Sequence, residues 1–544
     1  MGDSIVSLRN TIGIPSAILF LFLSSQLLQG AEDFRVVDVQ SALRNGEALE
    51  SEKDWSGAIK VYESALEQFS NDETLKLRLR YAKLNFSIER RYLDDSFQTT
   101  LKPMSQEAAL SLYDDVLTNV QSYFVSSISV STLVSHGTES LWLALGHERF
   151  VEENLFGASP ERIEKLRRKL YDMYWNNKVK PVNHRFDAQS VVREVCKLCD
   201  DEIGLSSGPI IMEYCFGAFN CLDDYSSILT PGRRKDLYGN IKGEFVGIGI
   251  VMEGETGLGM ALKQVLPESP ASEQGLKRGD IITAVDGTDC RNLTTQEAAD
   301  LLTGKAGSSV QLTVNRDGYR TFQVTCQRRE VQIKSVSVAK IIDSQNGIAY
   351  IQMTGFQQNT VREMDEALQK LHQQGMRALI WDVRENPGGL LTAAIEVLDR
   401  FIDEGVIVST KGRVSDQNAT YRARQNGTWG IPIVLLIDEN SASASEIVAG
   451  AIKDHRRGTV VGRKSYGKWS VQTIFDARFG TSIRLTTARF YSPNGSTWGS
   501  IGLAPDVVVD HGSFERPIGD VDVYADPDIQ AAMKILTQPE FTQR

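Results

Sequence analysis

The stretch that most constrains this chain runs from Ile431 to Asp454. IPIVLLIDE is a short apolar run with β-branched residues, and in EIVAGAIKD the residues Ile447, Val448, Ala451 and Ile452 fall at helical spacing. Between the two lies a run of small residues, NSASAS. A buried strand therefore ends, the chain turns through small side chains, and a helix begins. Such a turn lets a substrate backbone come close, and the first N–H groups of the helix, unpaired within it, can hold an anion. A nucleophilic hydroxyl is well placed there. Ser443 and Glu446 also have the S-x-x-E spacing of a capping box. Taken alone, that motif reads first as a structural cap.

The balance shifts with the base found downstream. A serine hydroxyl is a weak nucleophile until a partner takes its proton. His455 sits twelve positions along the same expected helix, about 18 Å from Ser443 at 1.5 Å per residue, and cannot touch it. The distant histidines His136, His147, His184, His372 and His511 stand in no triad context. Lysine is the alternative. GTVVGRK reads as a return strand, and SYGKWSVQ places Lys468 and Gln472 four residues apart, on one face of an extended segment.

SASASEIVAGAIKD, then VVG, then YGKWSVQ resembles the C-terminal processing peptidases, serine peptidases that carry a PDZ domain and use a Ser/Lys dyad. The resemblance implies Ser443 as nucleophile, Lys468 as general base and Gln472 as the residue that holds the lysine. A free lysine has a pKa of about 10.4, so a base working near pH 7 needs about 4 kcal/mol of bias toward its neutral form. Desolvation can supply that, whereas arginine could not serve because it does not deprotonate. One departure is Trp469, where the family usually has a small residue; it puts the shape of the neighbouring pocket in question.

The 544 residues call for several domains. A formal charge of −11 leaves no electrostatic footprint for nucleic acid. MGDSIVSLRN with Arg9, followed by TIGIPSAILFLFLSSQLL, reads as an export signal with a cut point at Ala31; an uncleaved membrane anchor is the alternative. Either way the expected location is periplasmic or otherwise extracytoplasmic. Cys196, Cys199, Cys215 and Cys221 have too loose a spacing for a zinc site, so buried thiols or one disulfide are expected. GEALESEKDWSGAIKVYESALEQF resembles one tetratricopeptide unit with Ala58, Tyr62, Ala65 and Leu66 on its packing face. Without a second copy it reads as a helical hairpin packed on the segment C-terminal to it.

AFNCLDDYSSILTPGRRKDLYGNIKGEFVGIGI resembles the family's entry into its PDZ domain. There Gly247, Ile248, Gly249 and Ile250 form the loop that receives a terminal carboxylate, and the next strand offers an edge for an added peptide. Asp286 and Gly287 read as a hairpin turn. Downstream, GIAYIQMTGF, TVREMDEALQKLHQQG and RALIWDVRENPGGLLTAAIEVLDRFI alternate strand and helix, which argues for a layered α/β core. The resemblance makes that core crotonase/ClpP-like. By the same resemblance ENPGG supplies one oxyanion donor, the N–H of Gly388 or Gly389, and Ala444 supplies the other.

The expected fold is thus multidomain α+β. Residues 1–31 form the signal or anchor, 32–100 a helical tetratricopeptide-like region, 101–237 a helical part of the peptidase, 238–330 the PDZ domain, 331–525 the peptidase core and 526–544 a terminal helix and tail. The expected function is an exported serine endopeptidase that captures protein C-termini through its PDZ domain and cleaves them through an acyl-enzyme. Its partners are protein substrates, with membrane association and a homo-oligomer left open, and no metal or organic cofactor is implied. A catalytically silent adaptor that binds protein tails is the competing class, and a non-peptidase acyl hydrolase is disfavoured because a peptide-end reader would have no task.

Overall fold

The computed structural model describes residues 38–175, 182–255, 257–291, 293, 295–316, 320–424, 428–510 and 522–538. The segment read as an export signal or anchor, 1–31, lies outside the described residues. Among the described residues no helix is long and apolar enough to cross a membrane.

The chain opens with three helices, Val39–Ser51, Trp55–Gln68 and Glu73–Tyr92. Asp38, Asp54 and Asp72 cap them, each accepting a backbone N–H of the first turn. Ala58, Tyr62, Ala65 and Leu66 are all buried in the core these helices share. The third helix continues into the next core, where Ile88 and Tyr92 pack with helices Gln106–Tyr123, Val130–Ala144, Arg185–Ile203 and Ser207–Gly217. A fully buried carboxylate, Glu213, fastens it there by accepting Arg91 Nη2 at 2.9 Å and Ser140 Oγ at 2.7 Å. The six cysteines are free thiols, and all but Cys221 are buried.

Strand Ser227–Leu229 carries the chain out of the helical region and pairs with strand Ser482–Tyr491 over Ser482–Arg484. The sheet of the domain expected to be PDZ has the order 250–255, 259–265, 281–285, 309–316, 320–327. Asp286 and Gly287 both adopt positive φ (46° and 83°) between Val285 and its partner Thr288, the two-residue hairpin that Asp-Gly favours. Strands Glu244–Gly247 and Arg329–Gln332 pair antiparallel at the domain's entry and exit.

The C-terminal core is built on a six-stranded sheet: Val336–Asp343, Ile348–Met353, Ala378–Asp382, Ile433–Ile437, Thr459–Gly462 and Val507–Val508, parallel after the first pair. Helices Thr360–Gln373, Leu391–Leu398 and Ala444–Asp454 cover one face. Helix Pro527–Leu536 covers the other, with Ile529, Ala532 and Leu536 on Tyr350, Ile380 and Leu436. A second, five-stranded sheet holds 470–476 against 482–491. The whole is multidomain α+β, a helical N-terminal region followed by a small antiparallel-sheet domain and a mixed core of parallel sheet and helices.

Candidate active site

Strand Ile433–Ile437 is buried along its whole length, and the chain leaves it through Asp438, Glu439 and Asn440. Asp438, 1% exposed, accepts the N–H groups of Glu385, Asn440 and Ser441, so one carboxylate ties this turn to the loop after strand Ala378–Asp382. Ser443 then takes φ 55° and ψ −111°. A side chain other than glycine's rarely occupies that region, at a cost of about 1–3 kcal/mol that the surroundings must offset. They do so with Ala442 N–H on Asn386 O (3.0 Å), Ser445 Oγ on Asn386 O (2.8 Å) and Ser443 N–H on Glu446 Oε2 (2.8 Å). The capping box that the spacing announced is therefore formed.

Glu446 does more than close that box. It is fully buried, and its two oxygens also accept Ser465 Oγ (2.6 Å), Gly467 N–H (2.7 Å) and Lys468 N–H (2.8 Å). One carboxylate thus joins the Ser443 turn to the loop that carries Lys468. Burial pushes its pKa up, and the four donors aimed at it hold the ionised form against that push.

Lys468 is half-buried, and its amine is brought down to about 8. Burial is the main cause; the Arg484 guanidinium acts in the same direction, and Asp223 and Glu446 oppose it. Its Nζ lies over the Tyr225 ring, 4.7 Å from the centroid. Among the described residues no hydrogen bond joins it to Ser443 Oγ. Gln472 is not its holder in this structure either: Gln472 Nε2 donates to Ser470 Oγ (2.9 Å) and Thr486 Oγ1 (3.3 Å). The expectation of one shared face assumed an extended segment through both residues, but Lys468 lies in the loop before strand Ser470–Asp476, so alternation along that strand does not carry back to it.

The ENPGG loop meets the Ser443 turn edge to edge. A Cβ on Gly388 (φ 101°) would lie 2.7 Å from Ala442 O and 2.8 Å from Ala444 N, so only glycine fits. Of the two glycines left open as donors, Gly388 has its N–H engaged by Asn386 Oδ1 at 2.9 Å. The Gly388 carbonyl accepts Phe356 N–H at 2.9 Å, and across a planar trans peptide the Gly389 N–H points the opposite way. That N–H and the Ala444 N–H have no partner among the described residues.

Trp469 is buried, packs edge-on against Trp498 at 4.7 Å, and both rings close on Gly450 of the helix behind Ser443. Glu446 was visible in sequence only as a cap, and Asn386 only as part of a tight turn. Tyr225 and Asp223 lie in LDDYSS, read there only as the entry to another domain.

In the expected peptide-capture loop, Ile248 is buried and its carbonyl accepts Ala271 N–H at 2.9 Å. The Gly249 carbonyl accepts Leu266 N–H at 2.9 Å. Both carbonyls are thereby turned inward, and the N–H groups of Gly249 and Ile250 face the other way.

The model of peptidase family S41 matches residues 347–509, and a PDZ domain model matches residues 262–316. The chain is 37% identical over 302 residues to a carboxy-terminal-processing protease of Bartonella bacilliformis, covering 54% of this chain and 68% of that protein. It is 34% identical over 326 residues to a carboxyl-terminal-processing protease of Picosynechococcus, covering 58% and 77%. Among solved structures, a photosystem II D1 C-terminal processing protease aligns over 77% of this chain and 97% of its own, at 24% identity and a TM-score of 0.42.

Proposed function

Because the chain belongs to peptidase family S41 and is a serine peptidase of the C-terminal-processing kind, acting on protein substrates, we propose that Ser443 and Lys468 form its catalytic dyad. Neutral Lys468 takes the proton of the Ser443 hydroxyl as the oxygen attacks the scissile carbonyl, and returns it to the leaving amine to leave an acyl-enzyme. Water then enters by the same route in reverse. The developing oxyanion is received by the N–H groups of Ala444 and Gly389, with Gly388 serving through its backbone shape. Gln472 supports the strand behind the lysine loop.

The observation that carries this reading is the buried Glu446 carboxylate. It binds the strained serine turn and the backbone of Lys468 at once, next to two N–H donors without a partner among the described residues. A purely structural cap would need only the first of those bonds. For substrate capture the support is the PDZ match and the outward N–H groups of Gly249 and Ile250, suited to a terminal carboxylate. With the export signal read at the N-terminus, we place the enzyme outside the cytoplasm.

The test is direct. Ser443→Ala and Lys468→Ala abolish cleavage of a protein tail while circular dichroism and PDZ binding persist; turnover by either variant refutes the dyad. Peptides with a free C-terminal carboxylate bind the intact enzyme, and amidated ones bind at least tenfold more weakly. Equal affinity refutes capture through the carboxylate.

A further inference from the structure

The side chain that Lys468 meets belongs neither to the peptidase sheet nor to its helices. It comes from the loop that ends the helical N-terminal region, Asp223–Ser226, and the loop is fixed on both sides. Strand Ser227–Leu229 pairs with Ser482–Arg484, and Ser226 Oγ accepts the Thr486 N–H at 3.1 Å while donating to Asp223 Oδ1 at 2.8 Å. Tyr225 is thereby held with its ring under the lysine amine, 4.7 Å from Nζ, and its hydroxyl bonds the Tyr466 side chain. Burial keeps that phenol neutral, so the ring acts through its face.

Resting on the dyad reading, we propose that Tyr225 is a positioning residue for the base: its ring is the berth of the Lys468 ammonium between turnovers, which the amine leaves when it becomes neutral and turns to Ser443 Oγ. The chemistry follows from the contact. An aromatic face attracts a cation and gives little to a neutral amine. An amine seated on the ring is not bonded to the serine, and the structure holds it on the ring. Loss of the proton therefore removes what keeps the lysine parked, and protonation from solvent after turnover restores it.

The other charged groups facing the amine are Asp223 from the same loop, Arg484 from strand Ser482–Tyr491 and Glu446 from helix Ala444–Asp454. All of these are unchanged in the variants below. The helical region thus contributes to the reaction itself as well as to the fold.

The experiment is the pH profile of kcat/KM for a chromogenic peptide, measured on full-length wild type, Tyr225→Phe, Tyr225→Leu and Tyr225→Met. The leucine and methionine variants keep bulk but lose the ring face. Their acid limb moves to lower pH by about half a unit to one unit, because the ammonium loses a stabilising partner. Tyr225→Phe keeps the ring and leaves the limb where it is in wild type. If the limb stays put in both ring-less variants, or moves upward as simple flooding by water would make it, the berth is refuted. Methionine stands in if leucine does not fold, and Lys468→Ala separates the two levels: cleavage by that variant sinks the dyad, whereas its inactivity with an unmoved limb in Tyr225→Leu sinks only the berth.

Discussion

Replacing Glu446 with glutamine tests whether one carboxylate couples the nucleophile to its base. The substitution keeps size and shape and removes two acceptor sites. A carboxylate offers about four lone-pair sites, which here receive Ser443 N–H, Lys468 N–H, Gly467 N–H and Ser465 Oγ. An amide oxygen offers about half as many. In the least costly orientation that oxygen faces Ser443 and Lys468, and the NH₂ group faces Ser465, whose hydroxyl can turn to accept. Gly467 N–H is then buried against another donor. An orphaned donor costs about 1–3 kcal/mol, and the surviving bonds lose their charge assistance, so a local destabilisation of about 3 kcal/mol follows. Hydrogen exchange resolves it: peptides spanning 465–468 exchange about a hundredfold faster, while those of the helical region do not change. Because the Glu446 charge holds the Lys468 pKa up, its removal also moves the acid limb of activity below its wild-type position. Unchanged exchange at 465–468 together with an unmoved limb would refute the coupling.

Three further outcomes are expected. Wild-type kcat/KM rises with pH through an acid limb at about 8, since only the neutral amine works as a base and that form is lost as pH falls through the lysine's depressed pKa; a pH–rate profile checks it. Asn386→Ala removes the acceptor of Gly388 N–H and the donor to Met353 O, so the oxyanion loop loses its aim; steady-state kinetics should find kcat down about a hundredfold with KM little changed. Arg384→Met leaves Asp382, Asp526 and Asp528 without the buried guanidinium that pairs them, at a cost of about 3–5 kcal/mol; urea unfolding and limited proteolysis of the segment around helix Pro527–Leu536 measure the loss.

The parts legible in the sequence are those that local pattern dictates. An apolar run, small residues and a helical repeat announced the Ser443 turn, and Asp286-Gly287 announced its hairpin, because each signal is complete within a few residues. Lys468 was singled out only by the resemblance of YGKWSVQ to the family's motif. The rest depends on contacts between distant stretches. Tyr225 reaches the lysine only because Ser227–Leu229 pairs with Ser482–Arg484. Asn386 acts through bonds to Met353 and to the serine turn. Where strand Ser470–Asp476 begins has no local mark, and Lys468 falls in the loop before it, so simple alternation does not relate it to Gln472. Trp469 stood out in sequence only as a departure from the family's small residue, and in the structure it fills the space that Gly450 leaves beneath the nucleophile helix.

These contacts divide the site into a fixed part and a movable part. The serine turn is bonded by Asp438, Asn386 and Glu446, all buried, and its neighbouring N–H donors are set by the same bonds. Fixing those dipoles in advance spares reorganisation when the oxyanion forms, which is where such donors contribute most. The lysine backbone is fixed too, by Glu446, yet among the described residues its amine meets a ring face and through-space charges. A base that must take a proton and then surrender it to a different atom needs that freedom at its tip. The rigid polar bonds therefore belong around Ser443, and the weakest contact in the site belongs at Nζ.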